Sequence, residues 1–339
     1  MRILIIGGTQ FIGPHVVREL HQNGHQVIVF NRGKTNYSFP FQINSILGDR
    51  ADLLSFRDKF SSLNLDVVID MISNSENDAI QLANTFRGIT QRIVIISSCN
   101  VYMAYDRLWK VITNPLVAVP LTEESKLREH FYPYRKNLSP IDNDWRYQYD
   151  KILVENIIRT DVDINSTILR LPMVYGPGDY TRIHSYLKRM DDNRPILLDE
   201  HSASWHVSRG YVEDIAHAIT LAALDNRSGN RIYNIGETFD YSESEWIEHI
   251  GRIAGWDNEI ITLPRDKLPS HLLEPDLAWE QDFTTDTQLI RNELNYKELY
   301  SSEQSMQISI EWSRNHESID NKSFEYDAED EVIVSKLRI

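Results

Sequence analysis

Three residues of this chain could exchange a proton with a bound substrate: Ser98, Tyr147 and Lys151. Tyr147 and Lys151 are four residues apart, so both side chains lie on one face if the segment is helical. A neighbouring ammonium favours the phenolate and lowers the pKa of a tyrosine. Ser98 ends a predicted strand and could hold a substrate hydroxyl while Tyr147 takes or returns its proton. Together with the glycine-rich loop described below, this set predicts acid–base catalysis coupled to hydride transfer at a nicotinamide.

Two alternatives stay open for this set. A tyrosine and a lysine four residues apart are common on solvated helix faces that have no function. Tyr149 is also only two residues from Lys151. It is predicted to point to the opposite face and pack, but it would replace Tyr147 as the acid–base group if the helix has a different register.

A glycine-rich loop follows the first predicted strand and opens a helix. Its candidate cofactor contacts are Gly7, Gly8, Thr9, Gln10, Phe11, Ile12 and Gly13. A strand, glycine loop and helix in this order let the backbone approach a pyrophosphate and place that anion at the helix N-terminus. Gly7 supplies the tight turn, and Gly13 allows close packing of the helix on the sheet. Gln10 replaces the middle glycine of the usual three and would crowd the phosphates. The alternative is a simple tight turn without a ligand.

The end of the second predicted strand bears on the choice between NAD and NADP. Proteins that prefer NAD place a carboxylate here, against the ribose 2′-hydroxyl. This chain instead has Asn31, Arg32 and Lys34, and the two cations could hold a 2′-phosphate, so NADP is preferred over NAD. Arg32 could also merely stack on the adenine of either cofactor. Asp49 could accept a hydrogen bond from the adenine amino group. The remaining candidate cofactor contacts are Arg50, Met71, Lys151, Pro172 and Val174.

Alternating strands and helices must position these residues. Strands are predicted at 2–6, 26–30, 43–47, 66–71, 92–97 and 165–171, with helices at 11–23, 51–60, 76–86 and 146–160. Apolar runs that alternate with helical patterns are typical of β-α-β units. The predicted fold class is α/β, a doubly wound parallel Rossmann sheet with a smaller mixed α/β C-terminal substrate region.

The second half of the chain has a mixed pattern. Residues 101–144 carry four prolines and no clean period, which predicts a long excursion over the active-site face. Helices are expected at 212–224, 242–254, 286–294 and 303–316, and short strands at 195–198, 231–235 and 260–263. The predicted domains are a Rossmann domain at 1–172, to which segments near 205–235 return, and a substrate-binding region at 173–316. Residues 317–331 hold seven acidic residues and one lysine, which predicts a solvated tail within a final segment, 317–339.

Composition limits the class of protein further. The chain has 339 residues, 41% hydrophobic and 25% charged, as expected of a globular protein. Its net charge of −15 disfavours general binding to nucleic acid or anionic membranes. A single cysteine excludes an intramolecular disulfide, and the scattered histidines, among them His201 and His206, predict no metal site. The N-terminus is interpreted as a strand, with no signal peptide or membrane span, which favours a cytoplasmic location.

These motifs together resemble the extended short-chain dehydrogenase/reductases, also called the NAD-dependent epimerase/dehydratase family. The resemblance covers about residues 1–255 and includes the glycine loop, the Ser98 segment and Tyr147 to Lys151 followed by Glu155. It continues through the segments at 169–178, 210–216 and 233–236. It implies a doubly wound sheet that binds NAD or NADP, a smaller region that holds a nucleotide sugar or another sugar-like substrate, and a homodimer.

Two departures from the family pattern narrow the reaction. In the 4,6-dehydratases of the family an Asp-Glu pair follows the catalytic Ser or Thr, whereas Cys99 and Asn100 stand here. A dehydratase is therefore not expected, and an epimerase or oxidoreductase acting on a carbinol is. Gln10 and the Asn31-Arg32-Gly33 segment resemble an atypical branch that includes chloroplast stem-loop RNA-binding proteins. The alternative function is a non-catalytic protein that senses the cofactor or binds RNA. Trp205 and Trp279 are expected to pack internally or to line the substrate pocket.

Overall fold

A seven-stranded, all-parallel sheet forms the centre of the protein in the computed structural model, which describes residues 1–35, 37–113, 115–139, 141, 144–316 and 324–336. Its strands are β1 Arg2–Ile6, β2 Gln26–Asn31, β3 Asn44–Leu47, β4 Val67–Asp70, β5 Arg92–Ser98, β6 Ser166–Leu171 and β10 Arg231–Asn234. Their order across the sheet is β10-β6-β5-β4-β1-β2-β3. This is the predicted doubly wound architecture. The order reverses beside β1, where such sheets bind ligands at the carboxyl ends of the strands.

Helices cover both faces of the sheet and build the smaller region. They are α1 Ile12–Gln22, α2 Arg57–Ser61, α3 Glu76–Phe86, α4 Met103–Leu108, α5 Lys151–Thr160, α6 His184–Asp191, α7 Glu200–Ala203, α8 Val212–Leu224, α9 Glu243–Ala254, α10 Gln288–Leu294, α11 Ser302–Arg314 and α12 Tyr326–Lys336. Two further parallel pairs join β8 Ile196–Asp199 to β11 Ile260–Leu263, and β7 Met173–Tyr175 to β9 Arg209–Tyr211.

The first strand shows how the sheet divides the core. Ile3 and Ile5 pack into one hydrophobic cluster, and Leu4 and Ile6 pack into another. Successive side chains of a strand point to opposite faces, so β1 must be apolar at every position to be buried on both sides. This is why the strand reads as a continuous apolar run.

The predicted helix at 146–160 is wrong in its first turns. Residues Trp145–Gln148 form a separate 3₁₀ turn, Tyr149 and Asp150 are extended, and α5 begins only at Lys151. Asp150 is fully buried, and its carboxylate accepts hydrogen bonds from the backbone N–H groups of Ile152 and Tyr132 and from Arg128. These contacts fix Asp150 as the N-cap of α5 and end the preceding turn before it.

The acidic segment near the end of the chain is not a solvated tail over its described part. Residues 326–336 form α12, and Glu329 on this helix is fully buried. Its carboxylate accepts hydrogen bonds from Arg189 on α6, 2.6 Å away, and from His271, 2.9 Å away. These remote partners compensate for the burial of its charge. Residues 317–323 and 337–339 of the predicted final segment lie outside the described residues.

Other differences are smaller. The predicted helix at 51–60 is a 3₁₀ segment, Arg50–Phe56, followed by the short α2, and its helical geometry is broken at Asp52. The 101–144 excursion contains α4, and Leu121 within it is buried and pairs with Thr285. The sequence pattern also missed α6, β7 and β9. The two strands are only three residues long, which is too short to show a period.

Candidate active site

The glycine loop takes the conformation that its sequence predicts. Gly7 has φ +90°, a conformation that L side chains rarely adopt. A Cβ on Gly13 would lie 2.8 Å from the Gly7 carbonyl oxygen and from the Gly8 backbone. Any side chain at position 13 would therefore force α1 away from the loop, and the close approach leaves the first N–H groups of the helix facing the space above the sheet.

Gln10 bridges the entrance to this space. Its side-chain amide donates a hydrogen bond to the Thr35 hydroxyl, 3.3 Å away, in the loop that follows β2. Phe11, the next residue, has φ +46° and ψ −107°, an uncommon conformation for a residue with a side chain. The side chain at the middle glycine position thus bridges the glycine loop and the loop that follows β2.

A cleft of about 550 Å³ opens between these loops and the carboxyl ends of β1, β2 and β4; we call it the glycine-loop cleft. The predicted cofactor residues that line it are Gly7, Thr9, Gln10, Phe11, Ile12, Gly13, Asn31, Arg32, Lys34, Asp49, Arg50 and Met71. The sequence did not single out Trp145, Ile72 or Asn74, which also line it. Nothing in the pattern of residue types could have placed Trp145 there, because the chain reaches the cleft from a distant segment.

Four predicted cofactor residues lie outside the lining of this cleft: Gly8, Lys151, Pro172 and Val174. Gly8 is buried, and a Cβ there would meet Val17 and Ile5 of the core. Pro172 joins β6 to β7, and Val174 is buried within β7. Both stand at the carboxyl end of β6, next to the second cavity described below.

Some polar residues near the end of β2 are bonded to the backbone, and others have no partner within the described chain. Asn31 accepts a hydrogen bond from the Gly33 backbone, 2.7 Å from its side-chain oxygen, and so shapes the turn. Asp49 similarly accepts from the Ala51 backbone. Arg32 and Lys34 are exposed, and within the described part of the chain neither has an ion-pair partner. Two free cations at the rim suit an additional anionic group on a ligand.

Arg50 is a structural residue of the same cleft. It is buried, and its guanidinium bonds to Asp70 at the end of β4, to the Ser73 hydroxyl and to the Asp78 carbonyl. The arginine therefore holds the β4 and α3 ends against the 3₁₀ segment that follows β3.

Ser98, Asn100, Tyr149 and Lys151 meet at the carboxyl end of β5. Tyr149 is buried, and its hydroxyl accepts a hydrogen bond from the Asn100 side-chain amide, 3.2 Å away. The Ser98 side chain lies close enough to lower the pKa of this phenol, against the larger effect of burial. The Lys151 Nζ lies 5.7 Å from the centre of the Tyr149 ring and donates to the carbonyls of Ser73 (2.6 Å) and Ile96 (2.8 Å).

Tyr147 lies apart from this group. Its ring stacks against the guanidinium of Arg135, 4.9 Å from the ring centre, and its carbonyl accepts from the same arginine. The prediction that Tyr147 and Lys151 share a helix face is wrong, because the helix begins at Lys151. The position that the sequence analysis held as the alternative, Tyr149, is the tyrosine beside Ser98 and Lys151.

Burial sets the protonation of these groups. It raises the pKa of Tyr149, whose hydroxyl is therefore a neutral phenol at pH 7. Burial lowers the pKa of Lys151 to about 8, against the opposing attraction of Asp70. Burial also raises the pKa of the Cys99 thiol to about 12, so this cysteine is not a thiolate nucleophile. The cluster thus holds one protonated phenol and one ammonium that titrates near physiological pH.

Trp145 connects this cluster to the glycine-loop cleft. It is exposed, lines the cleft, and its ring meets Tyr149 edge-on with 5.7 Å between the centroids. Asn74, another lining residue, accepts a hydrogen bond from the Asp150 backbone through its carbonyl. The phenol and the ammonium consequently stand beside the cleft.

A second cavity of about 380 Å³, the C-terminal cavity, begins at Met173 and is enclosed by residues from 173–209, 243–246, 271–279 and Phe324. Trp205 and Trp279 both line it, packed edge-to-face with 5.3 Å between the centroids. The two rings therefore both pack on each other and line a cavity, and their role toward a substrate stays a prediction. The register of β7 and β9 sets Met173 beside Arg209, another lining residue.

Membrane-spanning helices and clusters of metal ligands are both absent from the described residues. No helix in this part of the chain is long and apolar enough to cross a membrane. No group of three or more His, Cys, Asp or Glu side chains there is arranged to hold a metal ion.

Relatives with this fold have diverse activities. The chain is 27% identical over 258 residues to the chloroplast stem-loop binding protein of 41 kDa b of Arabidopsis thaliana, which covers 70% of this chain and 60% of that protein. It is 21% identical over 297 residues to the 2′-dehydrokanamycin reductase of Streptomyces kanamyceticus, with 84% of this chain and 76% of the reductase aligned. The activities in these names belong to those proteins.

A solved structure and a family model agree on the fold. The UDP-glucose 4-epimerase of Stenotrophomonas maltophila, solved with NAD and formylated UDP-arabinopyranose, superposes with a TM-score of 0.70 at 17% identity, over 93% of this chain and 98% of the epimerase. The model of the NAD-dependent epimerase/dehydratase family matches residues 3–236. With its seven-stranded sheet and glycine loop, this chain belongs to the NAD-dependent epimerase/dehydratase family.

Proposed function

We propose that the protein is an NADP-dependent oxidoreductase that interconverts a carbonyl and a carbinol on a sugar-like substrate. The observation that carries this proposal is that Tyr149 has Lys151, Asn100 and Ser98 around it, beside the glycine-loop cleft. Membership of the family supports a nicotinamide cofactor, and the free Arg32 and Lys34 support its phosphorylated form.

The cleft fits such a cofactor. Gly13 leaves room for a pyrophosphate above the start of α1, and Arg32 with Lys34 would hold the 2′-phosphate at the other end. A bound nicotinamide would supply or accept the hydride. Gln10 would have to give up its bond to Thr35 or lie against the phosphates, which favours a cofactor that exchanges between turnovers.

The residues of the cluster divide the proton chemistry between them. In the reductive direction the neutral Tyr149 phenol would donate its proton to the substrate carbonyl oxygen, which the Ser98 hydroxyl would hold. The Asn100 amide donates to the Tyr149 hydroxyl oxygen and so orients it. Lys151, held by two backbone carbonyls, would place its positive charge next to the phenol and ease the loss of that proton. Cys99 and Asn100 offer no acid or base for eliminating water, so we do not propose dehydration.

The first experiment compares NADPH and NADH by calorimetry, followed by NADPH oxidation with a panel of keto sugars. We expect NADPH to bind more tightly and to exchange freely. Tightly held NAD that co-purifies would instead indicate an epimerase, which returns the same hydride. Failure of both cofactors to bind would refute the proposal.

The two tyrosines give a matched pair of variants. Tyr149→Phe should lower the turnover rate about 100- to 10,000-fold while NADPH still binds, because only the proton donor is removed. Tyr147→Phe should change it less than about threefold, since its ring lies against Arg135. The opposite order would restore Tyr147 as the acid–base group.

RNA binding is the second candidate, favoured by the similarity to the chloroplast stem-loop binding protein. The net charge of −15 opposes it, because phosphate backbones are attracted by clustered cations. Filter binding at low salt separates the two functions. Sub-micromolar affinity for an RNA stem-loop that falls as salt is added would support this candidate, and we expect none.

A further inference from the structure

The C-terminal cavity differs from a diphosphate site in its charges. Three arginines line it, and each already has a carboxylate partner within this chain: Arg182 with Asp179, Arg189 with Glu329, and Arg209 with Glu243. No lysine stands among the described residues that line it. A phosphate would therefore have to compete with a carboxylate for each arginine, most easily for Arg182, whose side chain is partly exposed.

Breaking two of these ion pairs would cost much free energy, because their members are buried. Arg189 and Glu329 are both buried, and Arg209 is buried against the largely covered Glu243, which also accepts from the Tyr186 hydroxyl at 2.8 Å. Turning either arginine toward a phosphate would leave a buried carboxylate without its partner. Removing one member of a buried pair is strongly unfavourable. The carboxylates of Glu329 and Glu243 thus neutralise Arg189 and Arg209 before any ligand binds in the cavity.

Among the described residues that line the cavity, Glu274 at the rim is the charged side chain without an ion pair. It is exposed, and the Arg265 guanidinium donates to its backbone carbonyl and not to its carboxylate. Asp199, the remaining lining carboxylate, has Arg265 3.6 Å away. Burial lowers the pKa of His184, so this lining histidine adds no positive charge at pH 7.

Aromatic side chains form part of the remaining wall, beside aliphatic side chains such as Leu197 and Leu272. Trp205, Trp246, Trp279 and Tyr186 present ring faces or edges to the space, and the Trp279 indole N–H has no hydrogen-bond partner among the described residues. Aromatic faces accept the C–H faces of sugar rings and attract cations, and a free indole N–H can donate to a hydroxyl. A volume of about 380 Å³ is within the range of small-molecule sites.

We infer that the C-terminal cavity takes a glycoside that carries a protonated amine and no phosphate. Its ring would stack among the tryptophans, and its ammonium would pair with Glu274. This inference rests on the proposed function, whose substrate class it names. It separates this protein from relatives whose substrates carry a nucleoside diphosphate.

A series of hexoses with the same ring and different charge tests the inference. Quenching of tryptophan fluorescence would be titrated with glucosamine, glucose, glucose 6-phosphate and UDP-glucose, and Trp279→Phe would confirm that the signal comes from the cavity. We expect glucosamine to bind at least fivefold more tightly than glucose, and both phosphorylated probes more weakly than glucose. UDP-glucose or glucose 6-phosphate binding as tightly as glucosamine would overturn the inference, as would the absence of saturable quenching by every probe.

Three variants locate the effect. Glu274→Gln should abolish the preference for glucosamine over glucose, and Glu76→Gln, on the distant helix α3, is the matched control that should keep it. Glu243→Gln frees Arg209 and should raise the affinity for UDP-glucose about tenfold. If Glu243→Gln does not fold, Glu274→Gln still decides the result.

The outcome is distinguishable from failure of the proposed function. NADPH would be titrated into the same samples. A protein that binds NADPH but prefers UDP-glucose would refute only the substrate class. A protein that shows the expected charge order but binds no nicotinamide cofactor would refute the oxidoreductase.

Discussion

In the glycine-loop cleft, Arg32 and Lys34 are exposed and have no ion-pair partner in the described chain, whereas in the C-terminal cavity Arg189 and Arg209 are buried against Glu329 and Glu243. Both recesses contain arginine, so residue type alone would make both anion sites. The difference is the carboxylate behind the guanidinium. An arginine therefore indicates an anion-binding site only when no carboxylate of the same chain is paired with its guanidinium.

The buried pair gives the largest expected effect. Glu329→Gln should destabilise the docked helix α12 by about 3 kcal/mol, because it leaves the buried Arg189 without its counter-charge. Limited proteolysis of α12, together with the denaturant midpoint, measures this. The matched control is Asp330→Asn on the same helix, whose half-exposed pair with Arg194 should contribute no more than about 1 kcal/mol. Equal destabilisation of α12 by the two variants would contradict the expected difference between the buried and the half-exposed ion pair.

The same carboxylate predicts an acid limit for this helix. Burial alone would raise the pKa of Glu329, but hydrogen bonds from Arg189 and His271 hold it below its usual range. Because the pKa of Glu329 is lower in the folded chain, its stabilising effect is complete above the pKa of the unfolded chain, about 4.3. The effect is lost as pH falls through the pKa of the folded chain. The wild type should release α12 in acid, and Glu329→Gln should lose this pH dependence.

The unpaired cations give the next largest effect. The double variant Arg32→Ser and Lys34→Ser should weaken NADPH binding about 10- to 100-fold, since hydrogen bonds to a charged group contribute about 1.5–3 kcal/mol. NADH binding should change less than about twofold. Calorimetry on both cofactors measures the ratio, with Lys59→Ser on α2 as the control. Parallel loss of both affinities would show that the two cations do not recognise the 2′-phosphate.

The smallest effect is a bend in the pH profile. If Lys151 must be charged, turnover should fall above pH about 8, the value to which burial lowers its pKa. The pKa of Lys151 in the unfolded chain is higher, about 10.4. Between these two pKa values the unfolded state binds more protons than the folded state, so the stability of the fold rises with pH in that range. Lys151→Met should lose both the bend and this rise. A profile that is flat from pH 7 to 9 would show that the ammonium is not required.

Local patterns predicted the parts of the molecule that local physics determines. The strands at 2–6 and 92–97 and the glycine loop were identified because burial on both faces and the strand–glycine–helix order leave a signature within a few residues. The pairing of Tyr147 with Lys151 failed because the start of α5 depends on Asp150, which is held by Arg128 and Tyr132. Those contacts come from 18 to 22 residues away and leave no periodic trace.

The acidic segment near the C-terminus failed for a similar reason. A run of carboxylates indicates solvation unless cations elsewhere in the fold meet it, and Arg189 lies 140 residues from Glu329. The second recess was equally hidden, since its wall combines residues from 173 to 324. Trp205 and Trp279 are the residues of this wall that the sequence analysis names, and internal packing would explain them equally well.

The position of α12 also sets an order in which the two recesses can be completed during synthesis. Every residue that lines the glycine-loop cleft lies between 6 and 145, whereas the C-terminal cavity needs Phe324 and the carboxylate of Glu329. Because chains emerge from the ribosome N-terminus first, the cleft can form while the cavity is still open and Arg189 still unpaired. A nascent chain could therefore complete the proposed cofactor site before the proposed substrate site.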